Sequence, residues 1–263
     1  MDSIDQKPIV YANIQQINTQ FGASSDEFGV FSFENDSKVL INAAGYELKT
    51  IDLPKQNTII KLQPKEKLIE EVVLGKRKNK NYIVIDEFRK IKINSYFVCN
   101  GELKIIGGIG KYFESKSYPL KFLKSLRILT KSEVSNVKFN IRLFSVDENG
   151  DPKDELSHEN IIGVAKKGKH KTEVDLSHLN LRMPEHGIFI NFEWLRLDEN
   201  TIERLFVYKD NKKLQKYIMP EIGLINSKIP NTTFYQKSKN SFSKFKYIDA
   251  KIKNIAMELT LTD

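Results

Sequence analysis

Apolar and polar residues alternate along most of this chain, in short runs closed by Gly, Pro, Asn or Asp. Residues 7–75 read KPIVYANI, GASSDEFGVFSF, VLINAAGYELKTIDL, NTIIKLQP and LIEEVVLG in succession. Runs of this length, with period-two alternation and turn residues between them, predict the antiparallel strands of a small β-sandwich. Pro8 is expected to open the first strand, where its missing N–H does least harm. Ala12, Ile14 and, after a shift of phase, Ile17 are its inward candidates. Residues 26–29 predict a turn in which Asp26 bonds nearby backbone and Gly29 tolerates positive φ. Val30, Phe31 and Phe33 are expected to begin the next strand, and Val39, Ile41 and Ala43 to share one face of the third. Gly45-Tyr46 predicts a tight bend whose Tyr caps the core edge and bonds through its hydroxyl. Ile59, Ile60 and Leu62 form a further short apolar run.

The remainder, from residue 82 onwards, also reads mainly as β. Residues 137–143 alternate V-K-F-N-I-R-L and continue to Val146 before Asp147-Glu148-Asn149-Gly150-Asp151-Pro152, a strong turn signal. Residues 173–176 predict a short strand. Ile188, Ile190, Phe192 and Trp194 share one face of another, with Asn191 and Glu193 opposite. That apolar row assigns Trp194 to the core rather than to an exposed sugar platform. Residues 257–262 alternate as a strand. Residues 155–162 suit one or two helical turns, and residues 120–130 suit either a strand pair or a short helix.

The succession of motifs over residues 7–75 resembles the carboxypeptidase-regulatory-like domain, a transthyretin-like, peptidase-associated sandwich of Bacteroidetes-type bacteria. The resemblance implies a non-catalytic accessory module working in the periplasm, at the outer membrane or at the cell surface. In that family an earlier strand of the type G-x-V-x-D-S precedes the K/E-P-I-x-x-A-N-I segment. Here Met1 stands where that strand should be ending, and Asp2-Ser3 follow directly. The sequence is therefore expected to lack that strand, and with it a secretion signal, a short natural variant being the alternative. Residues 120–195 resemble, more loosely, a region that accompanies this domain. The similar pieces are F-x-I-R-L-F, G-D-P-x-x-E-L, E-N-I-I, V-D-L-S and F-E-W-L. That resemblance implies a jelly-roll-like sandwich of unassigned function, and fold alone does not assign one.

Composition adds a boundary. Residues 1–75 hold 7 Lys/Arg against 11 Asp/Glu, whereas residues 76–263 hold 35 against 23. The sign changes at Lys76-Arg77-Lys78-Asn79-Lys80-Asn81, which reads as an exposed linker. The expected organisation is a sandwich over residues 1–75, a basic linker over 76–81 and a second sandwich over 82–263. No run approaches the ~18 apolar residues of a membrane helix. Cys99 is the single cysteine, so no internal disulfide forms, and its apolar flanks predict a buried small residue.

Candidate chemistry is sparse. His158-Glu159 begins like HExxH, but Ile162 stands where the second His belongs. His170 lies in a basic stretch and predicts a solvated side chain; His178 and His186 lack further ligands in the sequence. Asp147, Asn149 and Asp151 have the alternate oxygen spacing of a Ca²⁺ loop, though a polar hairpin turn explains them and is preferred. Glu70-Glu71 point to opposite faces of a strand and cannot act as a carboxylate pair. Gly107-Gly108-Ile109-Gly110 reads as a flexible turn. Residues 233–253 interleave Phe234, Tyr235, Phe242, Phe245 and Tyr247 with six lysines, a pattern shared by single-strand nucleic-acid platforms and by plain lysine-out, aromatic-in strands.

These observations lead to an all-β protein, a transthyretin-like sandwich followed by a jelly-roll-like one, with no catalytic, cofactor or metal residues assigned. The expected function is recognition of an envelope protein or glycan through a β-sandwich surface. A carbohydrate-binding module is the first alternative; it needs Tyr112, Tyr208, Tyr217 or Tyr235 to line a groove. Binding of nucleic acid or an acidic partner through the basic C-terminal region is the second. An enzyme would need groups such as His158, His178 and Asp175 to converge.

Overall fold

The computed structural model describes residues 1–17, 19, 21–33, 38–65, 80–100, 108–115, 118, 120–208, 211–226, 233–238, 241–244 and 253–263. The fold is all-β, and every strand pairing is antiparallel. The first four strands are β1 (Asn13–Gln16), β2 (Gly22–Ser24), β3 (Lys38–Asn42) and β4 (Lys49–Asp52), in one sheet of order β2-β1-β3-β4. There follow β5 (Tyr82–Ile85), β6 (Ser95–Asn100), β7 (Ile109–Phe113), β8 (Phe122–Ser132), β9 (Val137–Val146), β10 (Pro152–Glu155), β11 (Ile161–Ala165) and β12 (Gly168–Asp175). The rest are β13 (Ile188–Trp194), β14 (Thr201–Tyr208), β15 (Asn211–Asn226), β16 (Thr233–Ser238), β17 (Ser241–Lys244), β18 (Lys253–Ile255) and β19 (Met257–Thr262). Short 3₁₀ turns at Lys90–Lys92, Ser177–Leu179 and Asp198–Asn200 are the helical elements among the described residues.

The later strands build two facing sheets. One runs β10-β9-β13-β7-β16-β17, with β11 also on β9; the other runs β14-β15-β8-β19-β5, with β12 on β8 and both β6 and β18 on β15. Between them lies one apolar cluster. Phe139, Ile141, Ile190 and Phe192 come from the first sheet; Leu126, Ile128, Met257 and Leu259 come from the second. The alternation of V-K-F-N-I-R-L and of I-F-I-N-F-E-W places these groups inward, as their period requires. The Phe139 and Phe192 rings stack at 4.5 Å, and Trp194 meets Phe192 edge-on at 5.0 Å. Trp194 is buried, and its indole N–H donates to the Pro220 carbonyl at 2.8 Å. Pro220 itself falls where the β15–β6 register shifts, one of the few places a strand accommodates proline.

Residues 9–62 enclose a second, smaller cluster around Ile9, Ala12, Ile14, Val39, Ile41 and Leu62. The turn at residues 26–29 forms as expected: Asp26 Oδ1 accepts the N–H groups of Phe28 and Val30, and Gly29 has φ +74°. Tyr46 donates its hydroxyl to Asp2 Oδ2 at 3.0 Å, and Gly45 has φ +79°. A Cβ on Gly45 would stand 2.3 Å from the His158 carbonyl, so this glycine also lets the small sheet approach the larger body. Further polar contacts join them. Ser24 and Arg196 exchange main-chain and hydroxyl bonds, Asn160 donates to the Val10 carbonyl at 2.9 Å, and Lys138 pairs with Glu27 at 3.1 Å.

Five expectations are corrected. Residues 155–162 hold no helix; the chain there runs from β10 into β11, both laid on β9, whose long edge captures them. Residues 120–130 resolve as one strand, β8. Pro8 does not open a strand, since β1 begins at Asn13. Residues 30–33 form no strand: Val30 closes the Asp26 turn, and Phe31 and Phe33 pack against the small core without joining the sheet. The glycine stretch is not a turn at its described end, for Ile109 and Gly110 lie in β7, where Gly110 makes room for the Phe189 ring. Gly107, Glu70-Glu71 and the basic run 76–79 lie outside the described residues.

Cys99 is buried, and burial pushes its thiol up to about 11. A thiolate is the reactive form. The folded protein is therefore expected to resist a disulfide thiol reagent at neutral pH and to react promptly once unfolded. Equal labelling rates with and without denaturant would contradict the burial.

Candidate functional site

Three constellations stand out from the folded chain. The first lies on the outward face of β9 and β13. Arg142, Glu193 and Asn140 were set opposite the core by alternation, yet all are buried, because the small sheet and the 155–161 segment cover them. Arg142 donates through Nε and Nη2 to the two oxygens of Glu155 at 2.5 and 2.6 Å, and through Nη1 to Glu193 at 3.3 Å. Lys65 reaches the same Glu155 at 3.4 Å. Burial holds the Glu193 carboxyl above the usual carboxylate range, with Arg142 opposing that shift. A carboxylate–guanidinium–carboxylate triad of this kind is a structural tie at the seam between the sheets. Its carboxylates are committed to Arg142 rather than to a substrate.

The second constellation closes the other sheet. Glu258 on β19 is fully buried; it forms an ion pair with Arg127 at 2.8 Å and accepts from Lys171 at 3.0 Å and from the Phe88 main-chain N–H at 3.0 Å. Lys111 lies between Ile109 and Phe113 on the inward face of β7. Its amine donates to Asp86 at 2.7 Å and to the Met257 carbonyl at 3.0 Å. Burial lowers its pKa, and Asp86 opposes the shift. The sequence carried a signal for this residue that the reading did not use: the row Ile109, Lys111, Phe113 puts a lysine on an apolar face. Its donors point to protein acceptors, which makes it a clamp between the two sheets.

The third is open to solvent. A cleft of about 650 Å³ opens on the core of the four-stranded sheet. Its floor includes Ile9, Ile14, Ile41 and Leu62, and its rim carries the exposed side chains Phe28 (70% exposed), Val30 and Ile59. The walls are residues 28–33 and 53–60. No main-chain hydrogen bond joins residues 31–33 or 56–59 to another described residue. Main chain at residues 31–33 and 56–59, unbonded to the main chain of other described residues, thus flanks an apolar slot, a feature with which a receptor accepts an extended chain.

The groups singled out in the sequence do not converge. His158 is exposed beside Gly45, His178 lies 3.9 Å from Glu159, and His170 bonds the Lys167 carbonyl. Asp175 turns to Ser177. Among the described residues no group of three or more His, Cys, Asp or Glu is placed to hold a metal. Asp147 Oδ1 accepts the N–H groups of Asn149 and Asp151, closing the polar hairpin turn preferred over a calcium loop. Tyr112 bonds the His186 carbonyl, and Tyr217 lies under the Arg204 guanidinium, so these two do not share a groove. The Tyr208 and Tyr235 side chains lie outside what is described, as do the aromatic and lysine side chains of residues 233–253 apart from Phe242, which packs on Phe144 and Phe189. No helix among the described residues is long and apolar enough to cross a membrane.

No protein-family model, curated protein or solved structure matches this chain. The groove was not foreseen because Val30, Phe31 and Phe33 read as the start of a strand and Ile59, Ile60 and Leu62 as a further strand-like run, whereas neither stretch lies in a named strand.

Proposed function

We propose that this is a non-catalytic accessory protein of the cell envelope, which recognises an extended apolar segment of a protein through the groove in its four-stranded module. The groove carries the reading: large apolar side chains exposed on its rim, a floor that reaches the module's core, and main chain at residues 31–33 and 56–59 with no main-chain hydrogen bond to another described residue. Exposed apolar patches of this sort mark interaction sites. The resemblance of residues 7–75 to the carboxypeptidase-regulatory-like domain supports the accessory role and the envelope location. The jelly-roll-like reading of the second sandwich belongs to the same proposal.

The test uses a fluorescein-labelled peptide of alternating valine and threonine, titrated with the full chain and followed by anisotropy. Binding is expected, and the double variant V30D/I59D is expected to weaken it at least about tenfold, the equivalent of ~1.4 kcal/mol. Both positions are exposed, so the variant keeps its fold. No binding, or binding unchanged in the variant, would remove the groove from the proposal. Capture of an oligosaccharide in its place would transfer the function to the glycan class.

A further inference from the structure

We propose that the β14–β15 hairpin is a second binding surface, independent of the groove, which docks the protein on an anionic phospholipid bilayer at headgroup depth. Among the described residues, 203–208 and 211–216 pair only with one another; β6, β8 and β18 meet β15 from Tyr217 onwards. At ~3.3 Å per residue this is a two-stranded ribbon about 20 Å long that leaves the sheet. Arg204 fixes its root, donating to Glu133 and Glu221 and lying over the Tyr217 ring. Beyond Arg204, the side chains of Leu205, Phe206, Val207 and Leu214 are all exposed. Leu205, Val207 and Leu214 share one face and Phe206 takes the other. Apolar exposure of this extent marks an interaction site. A flat protein surface would cover only one of the two faces.

Charge selects the partner. Lys212 stands directly across from Val207, and Lys213 from Phe206, so each face carries an ammonium beside its apolar side chain; Lys216 lies further back, opposite Glu203. All three lysines are exposed, and Lys212 and Lys216 make no ion pair among the described residues. Glu203 is the one carboxylate against them in the described part of the ribbon, and the charges of Lys209 and Asp210 between the strands cancel. A protein slot deep enough to cover both faces would bury these ammonium groups, which is costly unless each finds a partner. A bilayer interface accepts both kinds of group. The apolar side chains reach the acyl boundary, and the lysine stems lie along them while their heads meet lipid phosphate. Nucleic acid is the poorer fit, since Leu205, Val207 and Leu214 offer no ring for a base to stack on. The ribbon's own backbone limits the depth. The outer edge of β14 has no strand partner among the described residues, and unpaired N–H and C=O groups do not enter hydrocarbon.

Co-sedimentation of the full chain with lipid vesicles tests this. Binding is expected to vesicles of phosphatidylcholine containing phosphatidylglycerol, and added salt is expected to weaken it by screening. Vesicles of phosphatidylcholine alone are expected to bind at least about tenfold more weakly, because the lysines lose their attraction. The variants L205S/F206S and K212Q/K213Q are each expected to weaken binding to the anionic vesicles at least about tenfold. All four side chains are exposed, so both variants keep their fold. The groove variant V30D/I59D is expected to bind these vesicles as the wild type does, which separates this surface from the groove. Phe206→Trp puts a reporter on the ribbon: its emission is expected to shift to the blue when anionic vesicles are added, while the buried Trp194 does not respond. A chain that does not sediment with anionic vesicles overturns the inference. So does equal binding to both lipid compositions, or a pair of hairpin variants that bind like the wild type. A chain that ignores vesicles but self-associates through the hairpin also overturns it, and assigns the surface to protein.

Discussion

Arg142→Met is expected to lower the unfolding free energy by about 3–5 kcal/mol, because it strands two buried carboxylates. Arg142 holds Glu155 by two short hydrogen bonds and Glu193 by a third, at a seam from which water is excluded. The loss is expected to grow with pH. Without the guanidinium, the burial that raises the Glu193 carboxyl is no longer opposed by Arg142, so between its unfolded and folded values the folded state binds more protons than the unfolded one. Stability then falls as the pH rises through that window. The same sign applies to the wild type on a smaller scale, since burial already holds Glu193 above the usual range. Glu193→Gln is therefore expected to flatten the decline of stability from mildly acidic to neutral pH. Denaturant titrations of the three proteins across that range measure both effects. A loss in Arg142→Met that is the same at every pH would show that the carboxylates are not the cause.

Glu258→Ala is expected to cost a similar ~3–5 kcal/mol, with the opposite charge left behind. Glu258 is fully buried, and Arg127, Lys171 and the Phe88 N–H all converge on it. Its removal leaves two cations and a main-chain donor under the cover of the 86–93 segment. Lys111→Met provides the contrast. Its partner Asp86 is half exposed and is rehydrated when the amine is gone, so this change is expected to cost about 1 kcal/mol or less. Thermal unfolding of both variants gives the comparison. A Lys111→Met loss as large as that of Glu258→Ala would mean that the amine, not the carboxylate, organises the cluster.

Period and turn chemistry made much of this fold legible. The unbroken alternation of residues 137–143 became β9, the row from Ile188 to Trp194 became β13 with its indole in the core, and the Asn-Gly/Asp-Pro segment closed the β9–β10 hairpin. Period two assigns a residue to a face, but it does not say what covers that face. Asn140, Arg142 and Glu193 were set on the polar side, where sequence alone places them in water. The small sheet and the β10–β11 connection bury them instead. Lys111 shows the converse: its face was apolar, and a partner more than twenty residues away, Asp86 in the bend after β5, made the lysine tolerable there. The 155–162 segment failed as a helix because β9 is long enough to accept two short strands along one edge, a fact carried by the partner rather than by the segment. The groove was invisible for a related reason, since strand-like composition at 30–33 and 59–62 does not reveal that these stretches join none of the named strands.

The position of β19 bears on how the molecule is made. This strand lies in the middle of its sheet, between β8 and β5, and all six of its residues are buried. It pairs Leu259 with Ile85 and Leu126, partners synthesised long before it. During translation, β5 and β8 emerge with the gap between them unfilled. That sheet cannot close until residue 262 has cleared the ribosome. Contacts so distant along the chain form slowly, and the waiting edges are open to mispairing. The larger body thus waits for its last strand to emerge, whereas residues 9–62 hold a local core that can settle well before that.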